Sequence, residues 1–207
     1  MKNQKITRLQ VLETALQLLE TDGIDGLTMR KLADALHIKA ASLYWHFNNK
    51  QSLVEGMADH IVANVAVGDL NEEDWKTNLL NITHQLRDAL LQHRDGARVF
   101  AGTYVISDNV LRINNALIKT FMQSGMSAEK AANSTMTIFY FILGCCIEQQ
   151  AALYSHDNEI NEKLNKFNEI YKNQYPYTWA AKTILFTNNY EQRFLDGLTL
   201  IIRGLEK

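Results

Sequence analysis

The chain is poor in the residues that interrupt helices or cross-link loops. Its 207 residues include one proline, Pro176, and only ten glycines and two cysteines. No segment alternates apolar and polar residues for more than a few positions, as a half-buried strand would. Apolar residues recur instead at helical spacing from one end of the chain to the other. This pattern predicts an all-α protein.

The two cysteines are adjacent, at positions 145 and 146. Neighbouring side chains on a helix point about 100° apart, which disfavours a disulfide between Cys145 and Cys146. We interpret both as small core residues of a protein in a reducing compartment. A thiol nucleophile is the alternative interpretation, but burial in a helix disfavours the thiolate that such chemistry needs.

Long hydrophobic runs are also missing. The longest apolar run covers residues 138–147, whereas a helix needs about 20 residues to cross a bilayer. The first five residues carry charge where a signal peptide would begin its apolar core. These two observations predict a cytoplasmic protein with no membrane partner.

The chain as a whole carries almost no net charge, since its formal charge is −2. The positive charge is local instead. Four basic residues and one acidic residue lie between positions 28 and 50. A local excess of this kind supplies a few phosphate contacts, so it indicates a nucleic-acid partner for this segment.

Residues 28–50 read as two short helices joined by a tight turn. Thr28 is a suitable N-cap for the first helix, and Ile38 lies in the turn. Leu43 and Phe47 then lie four residues apart, on one face of the second helix. The other face exposes polar and aromatic residues: Lys39, Ser42, Tyr44, Trp45 and His46. This is the helix-turn-helix pattern, whose second helix enters the DNA major groove.

An ordinary pair of core helices is the alternative for this segment. A core pair rarely exposes tyrosine, tryptophan and histidine in succession, which favours the DNA-binding interpretation. Tyr44 and Trp45 remain open to a second reading as packing residues.

The remaining helices follow from apolar spacing. A first helix beginning near Ile6 is expected to stop at Asp22-Gly23, and Asn49 is expected to cap a fourth helix that closes at Gly68-Asp69. We assign residues 1–67 to a helix-turn-helix domain with its connecting helix and residues 68–207 to a second helical domain. Helices of that second domain are expected over 75–90, 97–104, 108–123, 136–153, 160–171 and 194–205.

Several motifs resemble the tetracycline-repressor (TetR) family. In the first 55 residues they are Gly23-Ile24, Gly26-Leu27-Thr28, Arg30-Lys31-Leu32-Ala33, Leu43-Tyr44-Trp45-His46 and Asn49-Lys50. Later motifs are similar to the ligand domain of the tetracycline repressors: Leu90-Leu91, His93-Arg94-Asp95-Gly96-Ala97, Gly102-Thr103, Leu143-Gly144-Cys145 with Glu148, and Gly204-Leu205-Glu206-Lys207. The resemblance covers nearly the whole chain.

The resemblance implies a set of DNA-binding residues: Thr28, Arg30, Lys39, Ala40, Ala41, Ser42, Tyr44, Trp45, His46 and Lys50. Arg30 and the helix over 40–46 would read bases, and the other side chains would mostly contact phosphates. Tetracycline repressors usually have Gln-Pro-Thr where this chain has Ala40-Ala41-Ser42, and an acidic residue at Lys39. We therefore expect the same docking geometry on a different operator sequence.

The resemblance also implies a dimer. The apolar helices around 136–153 and 194–205 would pair with their copies in a second subunit as a four-helix bundle. Gly197 and Gly204 lie seven residues apart on the last helix, and each costs about 1 kcal/mol relative to alanine. Close approach of a second helix would offset that cost. A core within one chain is the alternative.

In the tetracycline repressors a magnesium–drug chelate is held by a histidine, a threonine and a glutamate of the other subunit. Alignment on His93–Ala97 places Phe100 at the histidine position, while Thr103 and Glu148 match. A phenyl ring has no lone pair for a cation, so we expect no metal and no cofactor. The drug-contacting positions at Ala66, Ile82 and Ala116 have lost their hydrogen-bonding side chains as well.

We therefore expect a hydrophobic or amphipathic small-molecule effector. The residues expected to line its pocket are Ile82, Leu86, Phe100, Thr103, Tyr104, Ile113, Leu117, Phe139 and Glu148. Ordinary core packing is the alternative for each of them.

Together these observations predict a transcriptional repressor that binds a palindromic operator as a homodimer and is released by its effector. The alternatives are a tetracycline-responsive repressor with a metal-independent pocket and a helical dimer that binds DNA constitutively. His93-Arg94-Asp95 matches a kinase triplet, but the chain has no Gly-rich phosphate loop and no nucleophile elbow. We expect no enzymatic activity.

Overall fold

The computed structural model describes residues 6–68, 70, 74–103, 106–153, 172–186 and 188–205. All regular structure in these ranges is helical, which confirms the all-α expectation. The helices are α1 (Arg8–Gly26), α2 (Met29–Ala35), α3 (Ala40–Leu43), α4 (Lys50–Ile61), α5 (Trp75–Leu91), α6 (Gly96–Ala101), α7 (Asp108–Gln123), α8 (Ala128–Leu153), α9 (Pro176–Ala180), α10 (Lys182–Leu185) and α11 (Tyr190–Leu205). The helix expected over 160–171 lies outside the described residues.

Side-chain caps begin the helices near the N-terminus. The Thr28 hydroxyl accepts a hydrogen bond from the backbone N–H of Lys31 at 3.2 Å, and Asn49 caps α4 in a capping box with Ser52. Both predicted caps are confirmed. The expected stop at Gly23 is only a break within α1, because Gly23 has non-helical angles (φ 67°, ψ 175°) and the helix continues to Gly26.

The predicted end of α4 at Gly68-Asp69 is wrong. The helix ends at Ile61, and residues 62–66 form turns in which Ala66 has a positive φ of 53°. The Arg112 guanidinium, from α7, donates to the carbonyls of Ala63 at 2.7 Å and Val65 at 3.1 Å. These charge-assisted bonds satisfy carbonyls that a longer helix would have paired internally.

α5 and α7 pack against each other after α4. α5 packs against α6 and α7, and α4 packs against α6. The bounds predicted for α5 and α7 are confirmed to within one residue, whereas α6 ends at Ala101 and not at 104. The apolar side chains of α5 and α7 with no more than 2 % exposure are Leu79, Ile82, Leu86, Leu90, Ile113, Leu117 and Phe121.

Two compact units divide the chain, residues 1–147 and residues 148–207. Within the second unit, Phe194 and Leu198 of α11 are buried, and Arg193 forms an ion pair with Glu148 at 2.7 Å. α8 passes through the boundary. By length and composition α8 is apolar enough to span a membrane, yet only 28 % of its most apolar window is buried within this chain.

Candidate nucleic-acid interface and ligand pocket

α3 is anchored from behind by two buried apolar side chains. Leu43 is fully buried, and Phe47 is 2 % exposed. Between them lie the two aromatic residues that point outward, Tyr44 at 50 % exposure and Trp45 at 90 %. Neighbouring exposed aromatic side chains are typical of a surface that binds a partner. The helix expected over 40–46 ends at Leu43, and residues 44–46 form the turn that follows it. α3 and this turn together present an outer face that is free to meet another surface.

The turn before α3 is made by a left-handed residue. His37 has a φ of 54°, and the backbone N–H groups of His37 and Ile38 donate to the carbonyls of Asp34 and Ala33. This closes the end of α2 in the manner of a helix C-cap. The turn is the sharp connection that a helix-turn-helix requires.

The sequence-predicted DNA-binding residues lie on one continuous stretch of surface-exposed chain. Thr28, Arg30, Lys39, Ala40, Ala41, Ser42, Tyr44, Trp45 and Lys50 are exposed, and His46 is half-buried. Two of them already make contacts within the chain. Thr28 uses its hydroxyl as the cap of α2, and the Lys50 ammonium lies 3.3 Å from the carbonyl of Ile24. Their roles toward DNA stay predictions.

Arg8 supports this surface, a role that the sequence did not predict. Its guanidinium donates to the carbonyl of His46 at 3.0 Å and lies over the Phe47 ring at 4.2 Å. Gly56 leaves the room for that ring, because a Cβ there would lie 2.7 Å from Phe47 Cε1. A lone arginine near the start of α1 carries no spacing signal that connects it to residue 46.

A charged cluster joins the end of α1 to the turn between α5 and α6. The Asp95 carboxylate accepts from the backbone N–H of Ile24 at 2.9 Å and from Arg98 at 3.2 Å. Arg98 also pairs with Asp25 at 3.0 Å, and that hydrogen bond raises the pKa of Arg98 above its ordinary value. Gly23 must lack a side chain here, because a Cβ would lie 2.9 Å from Asp95 Oδ2.

Other members of the cluster reinforce the same joint. Nδ1 of His93 lies 2.9 Å from the Glu20 carboxylate, and the Arg94 guanidinium donates to the carbonyl of Thr21 at 2.8 Å. The HRD triplet at 93–95 is thus a structural joint in this chain. The ammonium of Lys31 lies 2.6 Å from Asp22, and this hydrogen bond lowers the pKa of the Asp22 carboxyl.

The two carboxylates on Arg98 should differ sharply in their contribution to stability. The Asp95 side chain is 13 % exposed and satisfies a part-buried N–H, so Asp95→Ala should lower the free energy of unfolding by about 1–3 kcal/mol. The Asp25 side chain is 85 % exposed, so Asp25→Ala should change it by about 0–1 kcal/mol. Urea unfolding of both variants measures the difference, and equal losses would contradict it.

A second joint connects α4 to the start of α7. The Asp59 carboxylate accepts from the Asn109 amide at 2.9 Å and from the hydroxyl of Ser107. Arg112 donates to Asn109 Oδ1 at 2.7 Å and holds the carbonyls after α4. The helix that leads out of the helix-turn-helix is therefore held by hydrogen bonds to α7.

A cavity of about 410 Å³ lies beside α6, α7 and α8. The residues that line it are Phe100, Ala101, Thr103, Ile106, Val110, Asn114, Met136, Phe139, Tyr140 and Leu143. Its size falls within the range of about 300–1,000 Å³ that is usual for small-molecule sites. Of the predicted pocket residues, the structure brings Phe100, Thr103 and Phe139 together here.

The other predicted pocket residues are not among the described residues that line this cavity. Ile82, Leu86, Ile113 and Leu117 are buried on α5 and α7, and their role toward a ligand stays a prediction. Glu148 belongs to the C-terminal unit, where it pairs with Arg193. Tyr104 lies outside the described residues.

Helical periodicity predicted which face of each helix is apolar. It did not predict which residues of that face line the cavity. Asn114 is a polar lining residue that helical periodicity did not identify. It lies on α7, the helix that also carries Ile113 and Leu117. An isolated asparagine within an amphipathic helix gives no sequence signal of a ligand site.

The cavity does not fit a magnesium ion. Magnesium prefers carboxylate and water oxygens, and none of the described residues that line the cavity carries a carboxylate or an imidazole. Among the residues that the structure describes, no three His, Cys, Asp or Glu side chains form a group able to hold a metal.

Cys146 is not poised for nucleophilic chemistry. The side chain is fully buried, and burial raises the pKa of its thiol to about 12. A thiol with such a pKa is uncharged at neutral pH, and the thiolate is the reactive form.

The sequence matches two family profiles that together span most of the chain. Residues 11–57 match the bacterial regulatory proteins of the tetR family, and residues 67–207 match the tetracyclin repressor-like C-terminal domain. The chain belongs to the TetR family. It is a ligand-responsive, DNA-binding transcriptional regulator, and its resemblance to the family is confirmed.

Known proteins resemble this TetR-family chain over nearly its full length. The tetracycline repressor protein class A from transposon 1721 of Escherichia coli is 34 % identical over 207 residues, which cover 98 % of this chain and 93 % of the relative. A possible TetR family transcriptional regulator from Streptomyces coelicolor A3(2) has a TM-score of 0.86 at 35 % identity, with 96 % and 98 % of the chains covered.

A third similar structure contains bound DNA. The crystal structure of BioQ, a Mycobacterium smegmatis protein, with its double-stranded DNA operator has a TM-score of 0.71 at 28 % identity. It covers 97 % of this chain and 98 % of BioQ.

Proposed function

We propose that this TetR-family regulator is a cytoplasmic repressor that binds a near-palindromic operator as a homodimer. The observation that carries the proposal is the outward position of Tyr44 and Trp45 between the buried anchors Leu43 and Phe47. Two such helices related by a two-fold axis enter successive major grooves when they lie about 34–36 Å apart. The likeness to BioQ, whose structure contains its operator, supports this docking.

Base reading falls to Arg30, Ser42 and the two alanines before Ser42. Arginine bonds guanine O6 and N7 in a fork, and the methyl groups of Ala40 and Ala41 suit contact with thymine methyls. The phosphate contacts fall to Thr28, Lys39, Tyr44, Trp45, His46 and Lys50. Arg8 acts through Phe47 and the carbonyl of His46, so it is a positioning residue for this surface.

The dimer would form through α8 and α11. Leu153 and Leu200 are exposed apolar side chains on these helices, and neither Gly144 nor Gly204 has an atom within 4 Å of an added Cβ. The low burial of α8 within one chain is explained if a second copy covers it. If α8 lies in this dimer interface, its apolar surface is explained without a membrane.

The effector occupies the cavity beside α6, α7 and α8 and needs no metal. Phe100 in place of a histidine, and the apolar lining, support a hydrophobic or amphipathic molecule. The cavity disfavours a constitutive DNA-binding dimer, whose core would be filled. Release from DNA follows if the effector binds more tightly to a conformer that does not fit the operator.

α6 connects the two sites. Phe100, at its C-terminal end, lines the cavity, and Asp95, at its N-cap, bonds to α1 of the helix-turn-helix. A displacement of α6 by the effector would therefore reach the helix-turn-helix through the charged cluster.

A tetracycline drug bound without metal is the second candidate, favoured by the 34 % identity to a tetracycline repressor over nearly the full chain. A fluorescence titration with chlortetracycline distinguishes the candidates when it is performed with magnesium and again with EDTA. We expect no binding at nanomolar concentration in either case. Nanomolar affinity that requires magnesium would overturn the metal-independent pocket, and equal affinity in EDTA would establish the second candidate.

A further inference from the structure

The polar groups of the cavity are few and uncharged. Among the described residues that line it, Thr103, Asn114 and Tyr140 carry polar side chains, and the others are apolar. A charged occupant would lose part of its hydration against this apolar lining without gaining an opposite charge from it, which is unfavourable. The cavity is therefore suited to an electrically neutral molecule.

Internal hydrogen bonds decide what the polar groups can offer. The Thr103 hydroxyl donates to the carbonyl of Phe100 at 2.8 Å, and the Asn114 amide nitrogen donates to the carbonyl of Val110 at 3.1 Å. Thr103 then retains an acceptor oxygen, Asn114 retains its Oδ1 and one amide N–H, and the Tyr140 hydroxyl can donate or accept. Asn114 Oδ1 has no hydrogen-bond partner among the residues that the structure describes. An occupant with an O–H or N–H donor would complete this site.

Two phenyl rings set the shape of the apolar lining. The rings of Phe100 and Phe139 are parallel within 8°, with centroids 6.1 Å apart, and both side chains line the cavity. Parallel offset rings present flat faces, and a further aromatic ring gains from stacking on them beyond the area it buries. A planar aromatic molecule exploits this arrangement better than a puckered aliphatic one.

We propose that the effector is an uncharged, planar aromatic molecule with a phenol-like O–H or an N–H donor. It stacks on Phe100 and Phe139 and donates its hydrogen bond to Asn114 Oδ1. The inference deepens the proposed function, since it rests on this cavity being the effector site. The cavity volume of about 410 Å³ admits a molecule of two or three fused rings.

Calorimetry on the full-length protein at pH 7 tests this assignment with four small probes. Three of them each differ from the first, 2-naphthol, in one property. 2-Naphthol is the neutral aromatic donor, naphthalene lacks the donor, decahydro-2-naphthol lacks the planar rings, and 2-naphthoate carries a negative charge. We expect 2-naphthol to bind about tenfold more tightly than naphthalene and decahydro-2-naphthol. We expect 2-naphthoate to bind at least a hundredfold more weakly than 2-naphthol.

Substitutions of lining residues test which side chains produce the preferences among the four probes. Asn114→Leu should remove the tenfold advantage of 2-naphthol over naphthalene and leave the affinity for naphthalene intact. Phe139→Leu should remove the advantage over decahydro-2-naphthol. Asn115→Leu is the matched control, because Asn115 is exposed and does not line the cavity, and it should preserve both preferences. Binding of naphthalene to each variant shows that the cavity has kept its fold.

The proposal is overturned if 2-naphthoate or decahydro-2-naphthol binds as tightly as 2-naphthol, or if Asn114→Leu keeps the preference for the hydroxyl. Failure of the effector role has a different signature. In that case 2-naphthol would bind with the expected preferences at saturating concentration, yet the complex with operator DNA would persist.

Discussion

Phe47→Ala is expected to lower the free energy of unfolding by about 3–5 kcal/mol and to abolish specific operator binding. The Phe47 ring is buried against Arg8 and the open position at Gly56, and it fixes the residues that follow α3. Removing the ring leaves a cavity behind the recognition surface. Urea unfolding gives the stability change, and fluorescence anisotropy with a labelled operator duplex gives the loss of binding.

Trp45→Ala is the matched control, because Trp45 is an aromatic residue two positions away with 90 % exposure. Its loss should change the free energy of unfolding by no more than about 0.5 kcal/mol. Operator affinity should nonetheless fall about tenfold, or ~1.4 kcal/mol, through the lost phosphate contact. If Trp45→Ala destabilised the fold as much as Phe47→Ala, the assignment of inner and outer side chains to residues 43–47 would be wrong.

Leu200→Asp is expected to convert the dimer to a monomer and to weaken operator binding by at least a hundredfold. Leu200 is 70 % exposed within one chain, on a helix proposed to pack against its copy. An aspartate buried there without a partner costs about 3–5 kcal/mol of association free energy. Light scattering should then report a mass near 23.7 kDa at concentrations where the native protein has twice that value.

Val67→Asp controls for the effect of a charge on an exposed apolar site. Val67 is 65 % exposed but lies on neither α8 nor α11. This variant should keep the dimeric mass and its operator affinity. A dimeric Leu200→Asp protein would contradict the proposed interface and would leave the exposure of α8 and α11 without an explanation.

The sequence predicted the features that depend on local chemistry. The caps at Thr28 and Asn49 and the burial of Leu43 with Phe47 follow from residue type and helical spacing, and the structure confirms them. The contacts of His93, Arg94 and Asp95 with α1 were not predicted. Those contacts depend on Glu20 and Ile24, which lie about 70 residues earlier in the chain.

The errors have the same physical origin. α4 ends early because Arg112 binds the carbonyls of residues 63 and 65, a contact that no local pattern reveals. Spacing identified Ile82 and Leu86 as part of an apolar face but did not show that α5 packs on α7. The resemblance to the ligand domain of the tetracycline repressors was more informative. It predicted Phe100 and Thr103 as pocket residues, and both line the cavity.

The central claim is that α3 of each protomer reads DNA as one of a two-fold pair. Repeated selection of bound duplexes from a random pool, followed by sequencing, tests it most directly. We predict an enriched inverted repeat whose half-site centres lie about 10 base pairs apart, or one helical turn, with enrichment lost in Phe47→Ala. A pool without an enriched sequence, or one enriched in a single unrepeated site, would contradict the claim.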